Sequence, residues 1–157
     1  MPALIVYDSF YGNTEMVARA IGDALKPFTE VKVVKVSQSP MRQMAGVDLL
    51  LVGSPTRAFR PSPETMRFLK SIPRGGIRGT RVAAFDTRID PQSSPSGLLR
   101  AMNRLFGWAA PKIGKELTGR GGIEALAPIG FVVVASEGPL REGELERAAA
   151  WTRALMV

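Results

Sequence analysis

The sequence predicts a three-layer α/β sandwich: a five-stranded parallel sheet with helices on both faces, forming one domain over residues 1–157. Three observations carry that expectation. Short apolar runs alternate along the chain with stretches of helical periodicity, the pattern of successive strand–helix–strand units. One run, Asp48 to Val52 (DLLLV), is led by an aspartate and otherwise wholly apolar, as in a strand covered on both sides. Loops rich in glycine, serine and proline separate these runs from the helices that follow them.

The elements follow in order. Ala3 to Tyr7 reads as a buried strand. Met16, Val17, Ala20, Ile21, Ala24 and Leu25 share one helix face, and Pro27 ends that helix. Val31 to Val36 alternates with lysines, as expected of a strand near a sheet edge. After the Asp48–Val52 strand, Ser62-Pro63-Glu64 reads as an N-cap with proline at the first helical position. The helix it opens carries Met66, Leu69 and Ile72. Arg81 to Phe85 is the next strand, and Leu98, Met102, Leu105 and Phe106 then form an apolar stripe. Gly121-Gly122 breaks that region before a weaker strand at Glu124 to Ala127, which Phe131 to Ala135 continues. A last helix runs from about Glu142, with Leu145, Ala148, Ala149, Thr152, Leu155 and Met156 on one face.

Two absences narrow the chemistry. The chain has no cysteine, which excludes disulfides, thiolate nucleophiles and Cys-ligated metals or clusters. It has no histidine, which excludes a Ser-His-Asp triad, imidazole acid–base catalysis and His-ligated metals. Difficult chemistry would therefore fall to a bound cofactor. No apolar run approaches the roughly 20 residues of a membrane helix, and no signal peptide precedes the first strand, so the expectation is a cytoplasmic protein with no membrane span. Net charge is +7, from 21 basic and 14 acidic residues. That excess suits an anionic partner or ligand, or a merely solubilising surface. The basic residues lack interleaved aromatics and a nucleic-acid-binding motif, so no nucleic acid partner is expected.

In parallel sheets ligands bind beyond the carboxyl ends of the strands. The loops to read therefore follow Tyr7, Val52, Phe85 and Ala135. The first is Asp8-Ser9-Phe10-Tyr11-Gly12-Asn13-Thr14. Gly12 permits a left-handed backbone, Ser9, Asn13 and Thr14 bring neutral donors, and the next helix turns its unpaired N–H groups toward the loop. A phosphate can be held there without a lysine or arginine. The triphosphatase pattern GxxxxGK[ST] occurs nowhere in the chain. The same residues also make an ordinary turn and N-cap, so the loop alone leaves both readings open.

"SFYGNTEMVARAI" after a first strand resembles the phosphate loop of the flavodoxin family, Ser/Thr-x-Tyr/Thr-Gly-Asn-Thr. "GSPTRAFRPSPETMRFL" is similar to that family's second, ring-contacting loop, and "SEGPLREGELERAAAW" to its C-terminal helix. The resemblance covers essentially the whole chain and implies strand order 2-1-3-4-5 and an FMN cofactor. It implies that Ser9, Tyr11, Gly12, Asn13 and Thr14 cradle the phosphate, with Phe10 of the same loop also binding the cofactor. Gly53, Ser54, Pro55 and Thr56 would meet the ring edge, with Arg57 beside them and Phe59 as the aromatic against one face. Thr87 and Arg88 begin the third flavin loop by position alone. That loop, "DTRIDPQSSPSG", lacks the aromatic usual in the family, and the chain is basic where the family is typically acidic. Arg57, Arg60 and Arg88 are expected at the flavin end. Arg74, Arg78 and Arg81 are expected at the opposite pole, as solvated surface. The implied function is an FMN-binding redox protein, either an electron carrier or a small FMN-dependent oxidoreductase acting on a quinone-like or porphyrinogen-like substrate. Its partner would be an acidic redox protein or an anionic small molecule. The alternative is an interaction module of the same fold that no longer binds FMN.

Overall fold

A computed structural model describes residues 2–90 and 96–156. The sheet is centred on β1 (Ala3–Tyr7), flanked by β2 (Val31–Lys35) and β3 (Leu49–Pro55), with β4 (Arg81–Ile89) beyond β3. The outer edge of β4 carries two short pieces. β5 (Ile123–Glu124) pairs near its start and β6 (Ile129–Val133) near its end. All pairings are parallel, in the order β2-β1-β3-β4-β5 with β6 on the same edge. The final strand expected from sequence is thus split in two, and each half starts slightly earlier than predicted.

Alternation along the strands builds two cores. Ala3, Ile5 and Tyr7 of β1 face α1 (Asn13–Leu25) and α5 (Glu144–Arg153), which bury Val17, Ile21, Leu25 and Ala148 against them. Phe85, Phe131 and Trp151 meet edge-on in this layer, with ring centroids 6.4–6.5 Å apart. Leu4 and Val6 face the other way, toward α2 (Pro63–Ser71) and α4 (Ala109–Gly119), with Phe68, Leu69, Ile113 and Leu117. Burying one such Leu or Ile side chain contributes about 1.5–3 kcal/mol. Gly53 has no room for more, because a Cβ there would lie 2.1 Å from the Phe85 ring.

The structure corrects the sequence reading in three places. β3 runs on to Pro55 and β4 to Ile89, where composition turns polar. They continue because each has a partner: Pro55 pairs with Thr87, and Ile89 with Val133. Thr87 and Arg88 therefore belong to β4 rather than to a loop. The second correction is α4, which carries Pro111 and Gly114 and has no clear stripe in the sequence. The third concerns the stripe Leu98–Phe106. It forms α3 (Gly97–Phe106) but buries none of its residues, and Leu98 and Leu105 are 72% and 77% exposed. The reason is that α4 already covers that side of the sheet with Ala109, Ala110, Ile113 and Leu117. Residues 91–95 of the expected third flavin loop lie outside the described residues. No helix among the described residues is long and apolar enough to cross a membrane.

Candidate functional site

The site is built at the carboxyl ends of β1, β3 and β4. Beyond β1 the chain is fastened from inside. Asp8 is buried, and its carboxylate accepts the Ser9 N–H at 2.9 Å and the Ser62 hydroxyl at 2.6 Å. The Gly12 N–H donates to Ser9 Oγ at 3.0 Å. Gly12 itself, at φ 91°, is the N-cap of α1 and brings no side chain to it. The first N–H groups of α1 are consequently left uncapped, a ready position for an anion.

Two side chains of that first turn are held by other elements. Thr14 Oγ1 is buried and shares a hydrogen bond with Thr87 Oγ1 at 2.8 Å, joining α1 to β4. Asn13 Nδ2 donates to the Glu137 carbonyl at 3.2 Å, and a Cβ on Gly138 would collide with the Asn13 amide. The loop after β6 is thus packed against the loop after β1.

These elements enclose a pocket of about 440 Å³. Ser9, Phe10, Tyr11, Asn13 and Thr14 form one wall, and Pro55, Thr56 and Arg57 another, with Thr87 and Arg88 between them. Four residues named from sequence do not line it, and one of them, Gly53, lies buried against the Phe85 ring. Gly12 turns the corner behind the loop. Ser54 is fully buried, its hydroxyl donating to the Pro55 carbonyl and accepting the Ser62 N–H, both at 2.9 Å. Phe59 follows Ala58 in a tight turn where both have positive φ (66° and 49°) and Arg57 bridges Arg60. That turn carries the Phe59 ring against Phe106, centroids 5.5 Å apart, into an adjoining apolar recess. Four lining residues were not anticipated: Ala58, Ile89, Val133 and Ser136. For Ile89 the signal was the alternation Phe85-Asp86-Thr87-Arg88-Ile89, which continues the strand.

The two arginines at the pocket differ electrostatically. Arg57 is exposed, lying over Phe10 at 4.7 Å and Tyr11 at 5.6 Å, and donates to the Tyr11 hydroxyl at 3.3 Å. Among the described residues it has no carboxylate partner. Arg88 grips the fully buried Asp86 with two hydrogen bonds of 2.7 Å and stacks on Trp108 at 4.4 Å. Burial pushes the Asp86 carboxyl up, opposed by Arg88 and by the Ala110 N–H it accepts at 2.8 Å. Arg88 thus brings its charge to the pocket already offset. Tyr7, behind the loop, donates to Glu15, and burial with that carboxylate pushes its phenol up to about 12. The Tyr7 hydrogen bond and Arg19 hold the Glu15 carboxyl below its ordinary value. Among the described residues no cluster of acidic side chains could hold a metal ion.

The sequence profile of the family described as flavodoxin matches residues 5–151. The chain belongs to the flavodoxin family. The sequence matches no protein of curated function. Solved structures share its fold at low identity. Oxidised flavodoxin 2 from Bacillus cereus is 20% identical, with a TM-score of 0.74, and the match covers 99% of this chain and 98% of that one. The flavodoxin of Streptococcus pneumonia TIGR4 is 16% identical with the same TM-score, covering 99% and 98%. Rubredoxin oxygen:oxidoreductase from Desulfovibrio gigas is 22% identical with a TM-score of 0.68. This flavodoxin-family chain matches over 99% of its own length but spans only 36% of that enzyme.

Proposed function

We propose that this protein binds FMN in the 440 Å³ pocket and works as a redox protein. The observation that carries the reading is the open start of α1: a glycine N-cap with no side-chain cap, facing a pocket lined by Ser9, Asn13 and Thr14. Neutral donors and the helix dipole suit a terminal phosphate. The residues present fit the rest of the cofactor as well. Pro55, Thr56 and Arg57 stand where the ring edge would lie, with Tyr11 and Phe10 across from them. FMN supplies one- and two-electron chemistry when bound. The chain's own residues bind it, orient it and set its electrostatics. Arg57 is the uncompensated cation there, which favours added negative charge on the ring and hence a moderate rather than very low reduction potential. The natural electron partner is then an acidic protein.

One observation favours a second role, turnover of a small substrate. The largely apolar recess of about 240 Å³ shares Thr56, Ala58 and Ile89 with the pocket, and Phe59, Leu99 and Trp108 line it together with Asp90 and Asn103. A flat apolar electron acceptor would sit there beside the ring.

Fluorescence-quenching titration with FMN and with riboflavin tests the reading. FMN is expected to bind tighter by at least about tenfold, one charge-assisted hydrogen bond's worth. Equal affinity would remove the phosphate from the α1 start. Failure of both flavins to bind would leave the fold as an interaction module.

A further inference from the structure

Between α2 and α4, on the face away from α1 and α5, runs a groove of about 790 Å³. Arg60 and Lys112 stand at its mouth, Lys70 and Lys115 along its walls, and Arg74 and Arg120 at its far end. Among the described residues the only acid lining it is Glu116, which Arg120 engages at 2.9 Å. Arg60, Lys70, Arg74 and Lys115 have no carboxylate within ion-pair distance among the described residues. Lys112 donates to the Phe59 carbonyl, and burial together with Arg60 lowers its pKa. Arg120 Nε is buried without a partner. Lys112 and Lys115 are three residues apart on α4, with Arg120 at its C-cap. Lys70 on α2 lies between Arg60 before that helix and Arg74 after it, so cations border the groove on both sides. Arg74, expected from sequence as solvated surface, is exposed and stands at the end of a cationic track that starts at the pocket's own loop.

We propose that this groove docks an extended acidic segment of the protein that exchanges electrons with the pocket. That partner's redox role rests on the FMN reading above, whereas the chemistry of the segment is read from the groove alone. Like charges held along two facing walls repel one another in the free protein, and an anionic occupant removes that repulsion. An extended segment presents side chains alternately to either side, which suits cations on both walls. Helix α2, with nine residues, gives a track about 14 Å long, room for about four extended residues. Pro61, Pro63 and Met66 add apolar surface for the stems of such side chains. No aromatic lines the groove, so a nucleic acid strand would find nothing to stack on. The mouth also fixes where the partner's body lies. Arg60 is bridged to Arg57, and Lys112 is bonded to Phe59, in the loop that walls the pocket. A protein anchored by this segment sits over the flavin end.

The test measures fluorescence anisotropy of a labelled dodecapeptide of alternating Glu and Ala, using the full chain with and without FMN. The peptide is expected to bind, and K70E/K115E to weaken it by at least about tenfold, with the thermal midpoint unchanged. The control R42E/R153E makes the same change in net charge on exposed residues outside the groove and is expected to weaken binding by less than about threefold. Equal losses in the two doubles would overturn the proposal, since the overall field would then hold the peptide. Tighter competition by inorganic triphosphate or by a dodecamer of thymidylate would also overturn it. If FMN fails to bind the wild type while the peptide still seats selectively, the flavin reading falls and the groove stands.

Discussion

Helices α1 and α2 begin in equivalent places, each beyond the carboxyl end of one of two neighbouring parallel strands, and they are finished in opposite ways. At α2 the N-cap side chain closes the helix start. Ser62 accepts the Thr65 N–H at 3.2 Å, bonds the Thr65 hydroxyl at 2.7 Å and donates to Asp8 at 2.6 Å, while its own N–H goes to Ser54. Helix α4 is closed likewise, with the Ala109 N–H on Thr56 Oγ1 at 3.1 Å and the Ala110 N–H on Asp86. Helix α1 starts at a bare glycine and forgoes the few tenths of a kcal/mol that separate a glycine N-cap from a side-chain cap. The carboxyl pole is therefore no general anion trap. Two helix starts are consumed in holding the fold, and the third is left without a side-chain cap.

The comparison breaks most severely at the closed side. Arg88→Ala strands the Asp86 carboxylate in a fully buried site, at a cost of about 3 kcal/mol in urea unfolding at neutral pH. The sign of its pH dependence follows from the direction of the shift. A buried carboxyl with a raised pKa takes up a proton on folding as the pH falls, so the deficit should shrink toward low pH. A deficit of the same size at neutral and acidic pH would show that the carboxylate is not its source.

Thr14→Ala acts on the open side. It should weaken FMN binding by about 1.5–3 kcal/mol, through a lost hydrogen bond to the phosphate. Stability should fall less, by about 1 kcal/mol for the bond to Thr87. Ser62→Ala is the reciprocal case: about 1–2 kcal/mol of stability lost with its cap, and FMN affinity changed by less than about threefold, because Ser62 lies behind the pocket. A variant that lost both in proportion would dissolve the distinction between the two helix starts.

The smallest effect sharpens the comparison with α5, which also starts at a glycine, Gly143 at φ 88°, without a side-chain cap. There the first turn supplies its own negative charge. Glu144 accepts the Val132 N–H at 2.6 Å and pairs with Arg147 at 2.7 Å. Burial alone would raise its carboxyl, but these partners outweigh burial and hold it below the ordinary value. Its contribution is thus present above the usual carboxylate range and lost as the pH falls through the depressed folded value. Glu144→Gln should cost about 1 kcal/mol at neutral pH and flatten the acid limb of the stability curve.

What could be read from sequence divides along similar lines. The Gly12 loop and the Ser62 N-cap are local devices, written within a few consecutive residues, and both were legible. The ends of β3 and β4 were not, because Thr87 and Ile89 are kept extended by Pro55 and Val133, which lie far off in sequence. Helices α3 and α4 exchanged importance for the same reason. The stronger stripe belongs to α3, but α4 follows directly and occupies the sheet. The Arg88–Asp86 pair was within reach, since residues two apart share a side of a strand. The direction of the Phe59 ring was not legible, because two successive positive φ angles turn it into the adjoining recess, which its neighbours in sequence do not signal.

Helix α3 has a further consequence. It is ten residues long with nothing buried, shorter than the roughly 12–15 residues at which an isolated helix becomes even marginal in water. Phe106 against Phe59 and Leu99 at the recess wall are among the contacts that hold it closed. Its amides should exchange with solvent by local opening, while those of β3, paired on both sides, wait for global unfolding. The recess that Leu99 and Asn103 enclose then exists only in the molecules whose α3 is closed at that moment. An apolar molecule that fills it would slow exchange along the helix in proportion to its occupancy.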